Sequence, residues 1–151
     1  VGVTQKLTSK QRDDLYEASI NPIASFPSEG IVIFGQKTLQ VTPSALDRIN
    51  VRRLMIFLKR RISQIANTIL FDQNVQTTWN RFTGQVGPFL ESVKTGLGLT
   101  EYKVVLDNST TTPDLIDQNV LYAKIFLKPA RAIEYIAIDF NISRTGASFD
   151  D

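Results

Sequence analysis

The feature that most constrains the fold is an amphipathic pattern between residues 47 and 70, which begins DRINVRRLMIFLKRRI. At about 100° per residue, its large apolar side chains fall on one face of an α-helix. Those side chains belong to Val51, Leu54, Met55, Leu58, Ile62, Ile65 and Ile69. Because a helix with a continuous apolar face must bury that face, the pattern predicts a long helix over Arg48–Leu70. We expect Leu54, Leu58, Ile62 and Ile65 to lie in the core.

The other side of the predicted helix is basic. The net charge of the chain is only +2, so the basic face is a local concentration of cations. Ile49 and Ile56 form an apolar seam between its cationic rows. We take this face as the candidate interaction surface, with the cations Arg48, Arg52, Arg53, Lys59, Arg60 and Arg61.

Several kinds of partner could suit a basic helix. A nucleic-acid reader would need a supporting motif or exposed stacking aromatics, and the only aromatic residue of the pattern, Phe57, lies off the cationic rows. A membrane-surface helix would use its strongest apolar face, which the core requires. An acidic protein surface fits best, because Ile49 and Ile56 add apolar burial to charge complementarity. A solvated outer face and a nucleic-acid-binding module that uses helix 48–61 remain the alternatives.

The remaining pattern predicts further helices and several strands. Thr8 and Gln11 have the spacing of a capping box at the start of a short helix. A second long helix is predicted from Thr77 or Thr78 to about Thr95, with a kink near Gly87. Residues 20–30 contain two prolines and are expected to be irregular, and the polar loop 108–119 has room for one helical turn. Strands are predicted near Ile31–Phe34, which we expect to be buried, and near Tyr102–Leu106, Val120–Leu127 and Glu134–Ile142.

These elements predict an α+β fold in which a small mixed β-sheet is covered on one face by two long helices. At 151 residues the chain is long enough for one domain with its own core, and we treat 1–151 as that domain. The longest apolar runs are too short to span a bilayer.

The composition lacks the residues that most often carry catalysis. The chain has no cysteine and no histidine, so it lacks thiolate chemistry, the usual general base and the commonest zinc ligand. Asp107, Asp114 and Asp117 do not have the spacing of a calcium loop. We therefore expect no enzyme activity, no metal and no cofactor. A carboxylate-based hydrolase stays open as an alternative, and it would need two acids in one cleft.

The chain ends are predicted to be extended arms outside the packed elements. Simple disorder is one interpretation, and donation of a strand to a neighbouring copy is the other. The arms are 1–7 and 143–151, with the candidate exchange residues Val1, Thr4, Leu7, Ser143, Thr145 and Phe149. The chain begins with Val1 rather than Met, so we expect it to be a fragment of a larger subunit.

Several segments together resemble a known family. They are INPIASFPSEGIVIFGQKTLQ, SALDRINVRRLMIFLKRRI, LFDQNVQTTW, KPARAIEYIAIDFNIS and TGASFD. In this order they are similar to the C-terminal region of the tail sheath proteins of contractile-tailed bacteriophages. The resemblance runs from about Leu7 to Asp151, nearly the whole chain.

The resemblance implies a mechanical role without enzyme activity. Sheath subunits of this family form hexameric rings that stack into a helical sleeve around the tail tube. The sleeve contracts to drive the tube through the host envelope during genome delivery. The C-terminal domain is the inner, tube-facing one, and exchanged arms connect neighbouring subunits. The resemblance thus implies that this chain lacks the family's outer domains.

The resemblance also implies partners and a location. The partners are other sheath subunits, the tail tube protein, and the baseplate and tail terminator proteins, with neither a membrane nor nucleic acid bound directly. The location is the virion, after assembly in the bacterial cytoplasm. Tail tubes of such systems present acidic outer surfaces, so the cations of the candidate interaction surface are expected to contact the tube or another subunit.

Overall fold

The computed structural model describes residues 2–134, 136 and 137. Within them the chain forms an α+β fold, as predicted. The helices are α1 (Ser9–Glu17), α2 (Ile49–Asn67), α3 (Gln76–Thr95) and α4 (Pro113–Asp117). The strands are β1 (Ile23–Phe26), β2 (Gly30–Ile33), β3 (Leu99–Val105) and β4 (Lys124–Pro129).

The core lies between the two long helices and the β3–β4 sheet. Leu58 and Ile65 of α2 are buried, as their spacing predicted. Leu54 and Ile62 are partly buried and pack against the same cluster, so the predicted phase of the helix is confirmed. The buried cluster consists of Leu58, Ile65, Ile69, Phe82, Val86, Leu90 and Leu99.

The β3–β4 sheet has one apolar face and one polar face. The strands are antiparallel, with Tyr102 opposite Leu127 and Val104 opposite Ile125. These four side chains pack against the core. Successive residues of a strand point to opposite faces of the sheet. The outer face therefore carries Lys103, which lies opposite Phe126.

The strands β1 and β2 form a second antiparallel sheet, with Ile23 opposite Ile33. The described strands therefore belong to two separate two-stranded sheets, where the sequence predicted one mixed sheet. The reason is local: β2 pairs with the strand immediately before it, which requires closure of a much shorter loop than pairing with β3.

The prediction that residues 20–30 are irregular was wrong, because β1 lies there. Pro22 and Pro27 flank this strand, so neither removes a hydrogen-bond donor from within it. The carbonyl of Pro22 accepts a hydrogen bond from the Phe34 N–H at 2.8 Å.

The predicted burial of Ile31–Phe34 was also wrong, although the strand exists. Ile33 is 70% exposed and Phe34 is 51% exposed. On the face of the hairpin opposite to Ile33, Ala24 is buried across from the half-buried Val32.

Three other local predictions are confirmed. The capping box of α1 is present: the Thr8 Oγ1 accepts from the Gln11 N–H at 3.3 Å, and the Thr8 N–H donates to the Gln11 Oε1 at 3.0 Å. The second long helix is present as α3, with Pro88 inside it, whereas the kink near Gly87 stays a prediction. The polar loop contains the single turn α4. The predicted strand Glu134–Ile142 lies mostly outside the described residues.

Candidate protein interaction surface

The basic face of α2 is exposed to solvent. Five of its cations, Arg52, Arg53, Lys59, Arg60 and Arg61, are exposed to solvent. Among the described residues none of these five makes an ion pair. Arg61 donates a hydrogen bond to the Gln64 Oε1 at 3.2 Å, which leaves its charge unneutralised.

The positions of these cations do not favour the helix itself. Arg52 and Arg53 lie close to the N-terminus of α2, which is the positive end of the helix dipole. The first turn has no acidic residue, and the last turn has no basic residue. Since cations stabilise a helix at its C-terminus, Arg52 and Arg53 do not interact favourably with the dipole of α2.

The apolar seam of this face is only partly open. Ile56 is 68% exposed, whereas Ile49 is half-buried at the start of the helix. Phe57 is 54% exposed but packs against Phe89, with ring centroids 5.9 Å apart. The arrangement offers one exposed isoleucine among cations, which suits an acidic protein surface with an apolar contact.

Arg48 has a different role from the other predicted cations. It is the N-cap residue of α2, and its guanidinium binds the carboxylate of Glu134 through two hydrogen bonds. Its Nη1 also lies 3.5 Å from the Asp47 carboxylate. The hydrogen bond with Glu134 is the main reason that the pKa of Arg48 is raised and that of Glu134 is lowered. Arg48 therefore joins two parts of the fold and is not a free cation.

An acid-rimmed cleft lies between α1, the end of β2 and the segment after β4. It encloses about 520 Å³. Asp13 and Glu17 stand on its rim, and Phe34 and Ile133 contribute apolar surface to it. Arg12 also lines the cleft, but its guanidinium lies over the Phe26 and Phe34 rings, 5.0 and 5.8 Å from their centroids.

The cleft does not suit a two-carboxylate hydrolase, although it contains acids. A general acid needs a raised pKa so that it keeps its proton near neutral pH. Glu134, which also lines the cleft, has a lowered pKa because of Arg48. Within the described ranges no group of acidic side chains converges in a way that could hold a metal ion.

A second basic surface, which the sequence analysis missed, lies on the outer face of the β3–β4 sheet. Phe126 is 56% exposed there, next to Lys103 and Lys124. Lys128 lies on the same face and pairs with Glu101 across the strands. The alternation in VLYAKIFLKP is the signal that could have shown which of its residues share a face, but the strand register was needed to place Lys103 beside Phe126.

The structure describes part of the N-terminal arm. Thr4 is exposed, and Leu7 is half-buried, with its carbonyl accepting a hydrogen bond from Arg12 at 3.1 Å. Val1 and the predicted exchange residues Ser143, Thr145 and Phe149 lie outside the described residues. In the part of the chain that is described, no helix is long and apolar enough to cross a membrane.

Comparison with known proteins identifies close relatives. Residues 41–143 match the family described as phage tail sheath C-terminal domain. The tail sheath protein of Enterobacteria phage T4 is 40% identical over 141 residues, which cover 93% of this chain and 21% of that protein. The tail sheath protein of Vibrio phage KVP40 is 37% identical over 143 residues, which cover 95% of this chain and 21% of that protein. The chain thus spans about a fifth of the length of these curated relatives.

Solved structures with the same fold come from contractile injection systems. The sheath complex of an extracellular contractile injection system, PVC, in its contracted state matches with a TM-score of 0.83 at 25% identity, covering 93% of this chain and 42% of that one. The helical sheath of the anti-feeding prophage in its contracted state matches with a TM-score of 0.80 at 26% identity, covering 95% and 42%. By the family match and the identity to these relatives, the chain belongs to the phage tail sheath C-terminal domain family.

Proposed function

We propose that this chain is a structural, non-enzymatic unit of a contractile tail sheath. Its subunits would polymerise around a tail tube, in the virion, and contract to drive the tube through the host envelope during genome delivery. The support is that the curated relatives are tail sheath proteins and that the similar solved structures are sheath and baseplate assemblies. The partners are therefore other copies of the sheath subunit and, on this proposal, the tail tube protein, with the baseplate and tail terminator at the ends.

The basic face of α2 is the surface that we propose binds the tube. The observation that carries this step is the set of exposed cations on α2 that make no ion pair among the described residues, two of which, Arg52 and Arg53, also oppose the helix dipole near its N-terminus. A surface that destabilises its own helix slightly, but complements an acidic partner, gains its advantage only in the complex. Ile56, at 68% exposure, supplies the apolar contact.

The test reverses two charges on that face, Arg52→Glu and Lys59→Glu, in one variant. We expect tube binding to weaken at least tenfold, while the melting temperature changes little because exposed charges contribute little to stability. The matched control is Lys10→Glu with Arg131→Glu, which changes the net charge equally at exposed residues outside α2 and outside the arms. Tube binding would be measured by co-sedimentation with purified tubes. Equal binding by both variants would contradict the assignment of the face.

We further propose that the arms 1–7 and 143–151 are exchanged between neighbouring subunits. A free strand edge is a template for another chain, and the described sheets have only two strands each. Deleting residues 143–151 is expected to abolish polymerisation without unfolding the domain. Light scattering and circular dichroism check both statements. A truncated protein that still forms full sheaths would contradict exchange at this end.

A further inference from the structure

The outer face of the β3–β4 sheet carries an exposed aromatic side chain between cations. Phe126 is 56% exposed, and its cross-strand partner on this face is Lys103. Lys124, two residues before Phe126 on the same face, is exposed as well. Neither lysine makes an ion pair among the described residues. We call Phe126 with Lys103 and Lys124 the sheet knob.

The acid-rimmed cleft has the complementary chemistry. Asp13 and Glu17 on its rim are exposed and make no ion pair within the described residues. Ile133 is 82% exposed and Phe34 is 51% exposed, so the cleft presents apolar surface that the described residues leave open to water. At about 520 Å³ it has more than enough room for one aromatic ring.

The acids of the cleft lie toward the C-terminal end of α1. Asp13, Asp14 and Glu17 occupy the C-terminal half of α1, which is the negative end of the helix dipole. The first turn of α1 has no acid and the last turn has no cation. Lys37 of the same chain donates a hydrogen bond to the Tyr16 carbonyl at this end of α1, while the Asp13 and Glu17 side chains stay exposed on the rim of the cleft.

We propose that the sheet knob of one copy docks into the acid-rimmed cleft of the next copy. Phe126 covers Phe34 and Ile133, while Lys103 and Lys124 meet Asp13 and Glu17. The inference rests on the proposed function, since a sheath subunit has to contact its own copies. Charge complementarity between two surfaces of one chain is what selects a second copy as the occupant.

The two surfaces are different parts of the molecule, so the contact is heterologous. A knob that fills the cleft of the next subunit leaves that subunit's own knob free, and the contact repeats. Heterologous contacts close into rings or continue as helical arrays, depending on the rotation between copies. A basic α2 on a separate face would remain free for another partner.

The test uses two charge-reversed variants of the whole chain. Variant A carries Lys103→Glu and Lys124→Glu, so both its knob and its cleft are acidic. Variant B carries Asp13→Lys and Glu17→Lys, so both are basic. In each variant alone, the knob and the cleft carry the same charge and repel each other. In an equal mixture, copies of A and B can alternate, so that each knob faces a cleft of opposite charge. Sedimentation velocity measures self-association, and Asp114→Lys with Asp117→Lys on α4 is the matched control for variant B.

We expect variants A and B to associate at least tenfold more weakly than the unmodified chain, and their mixture to regain association. The proposal would be overturned if either variant alone associated as strongly as the unmodified chain, or if the mixture stayed monomeric. The proposal would also be overturned if the Arg52→Glu, Lys59→Glu variant lost association while variant A kept it. That result would mean that α2, and not the sheet knob, occupies the cleft. If the unmodified chain does not associate at all, both this contact and self-assembly of the domain are contradicted. If it associates and variants A and B associate equally strongly, only this contact is contradicted.

Discussion

The guanidinium of Arg48 binds the carboxylate of Glu134 through two hydrogen bonds, although the residues are 86 positions apart. The second of these bonds, from Nη2 to Oε2, measures 3.0 Å. Arg48 is the N-cap residue of α2, and its backbone forms an antiparallel bridge with Lys37. The pair therefore fixes the segment that follows β4 to the start of the basic helix, beside the acid-rimmed cleft.

Breaking this pair should cost a small amount of stability. Glu134→Gln keeps the shape of the side chain but removes its charge, so we expect the free energy of unfolding to fall by about 1 kcal/mol, given the partial exposure of the pair. The matched control is Glu101→Gln, which removes the charge from the more exposed pair with Lys128 and is expected to have no measurable effect. Urea denaturation of the two variants makes the comparison. Equal losses would mean that Glu134 is held no more firmly than a surface acid.

The same pair predicts a difference in acid stability. Arg48 lowers the pKa of Glu134 from its ordinary value of 4.5, so the carboxylate adds stability that is fully present above that value. This stability is lost as the pH falls below 4.5 and through the lowered pKa. We expect the gap in unfolding free energy between the unmodified chain and Glu134→Gln to be constant at neutral pH and to close in acid.

Other carboxylates also have a lowered pKa, notably Asp107, chiefly through its hydrogen bonds with Ser109. Both proteins keep Asp107, so only the difference between their pH profiles reports on Glu134. A gap that stays constant down through acidic pH would show that Glu134 has the same pKa in the folded and unfolded chain.

The helices were predictable from the sequence because their signals are local. The apolar period of α2 set its phase, and the Thr8 and Gln11 pair set the start of α1. The strand β1 was missed because two prolines near one short strand were read as a break, when both lie outside it. The strand Ile31–Phe34 was predicted to be buried because an apolar run does not reveal whether a second layer covers it.

The surfaces were predictable only in part. The cations of α2 follow from helical geometry, but the role of Arg48 depends on Glu134, which is distant in sequence. The sheet knob depends on the register that sets Lys103 opposite Phe126. The cleft is formed by α1, the end of β2 and Ile133, and no local pattern brings those segments together.

The core predicts a large cost for truncating Leu90. This side chain is 0% exposed, within the cluster that joins α2, α3 and β3. Leu90→Ala should lower the free energy of unfolding by about 2–5 kcal/mol, since it removes buried apolar surface and leaves a cavity. The matched control is Leu39→Ala, where the leucine is 92% exposed and the expected change is less than about 0.5 kcal/mol. Chemical denaturation measures both, and a Leu90→Ala loss as small as that of the control would contradict the proposed core.

The end of α3 predicts a stabilising substitution. Leu97 has a φ of 60°, in the left-handed region that a leucine side chain disfavours, and it is 83% exposed. Its N–H donates to the Lys94 carbonyl at 2.9 Å, and the next N–H, of Gly98, donates to the Val93 carbonyl at 2.9 Å, so the turn closes the helix.

Leu97→Gly relieves the backbone strain, while the greater freedom of glycine in the unfolded chain offsets part of the gain. We expect a net increase of roughly 0.5–1 kcal/mol in the free energy of unfolding. At Gly98 the opposite change is unfavourable, because an added Cβ would lie 2.9 Å from the Val93 Cγ1 and 3.2 Å from the Val93 carbonyl oxygen. Gly98→Ala should therefore lower the melting temperature while Leu97→Gly raises it. If calorimetry instead shows Leu97→Gly to be the less stable of the two, the left-handed turn at the end of α3 is not the conformation that this chain adopts.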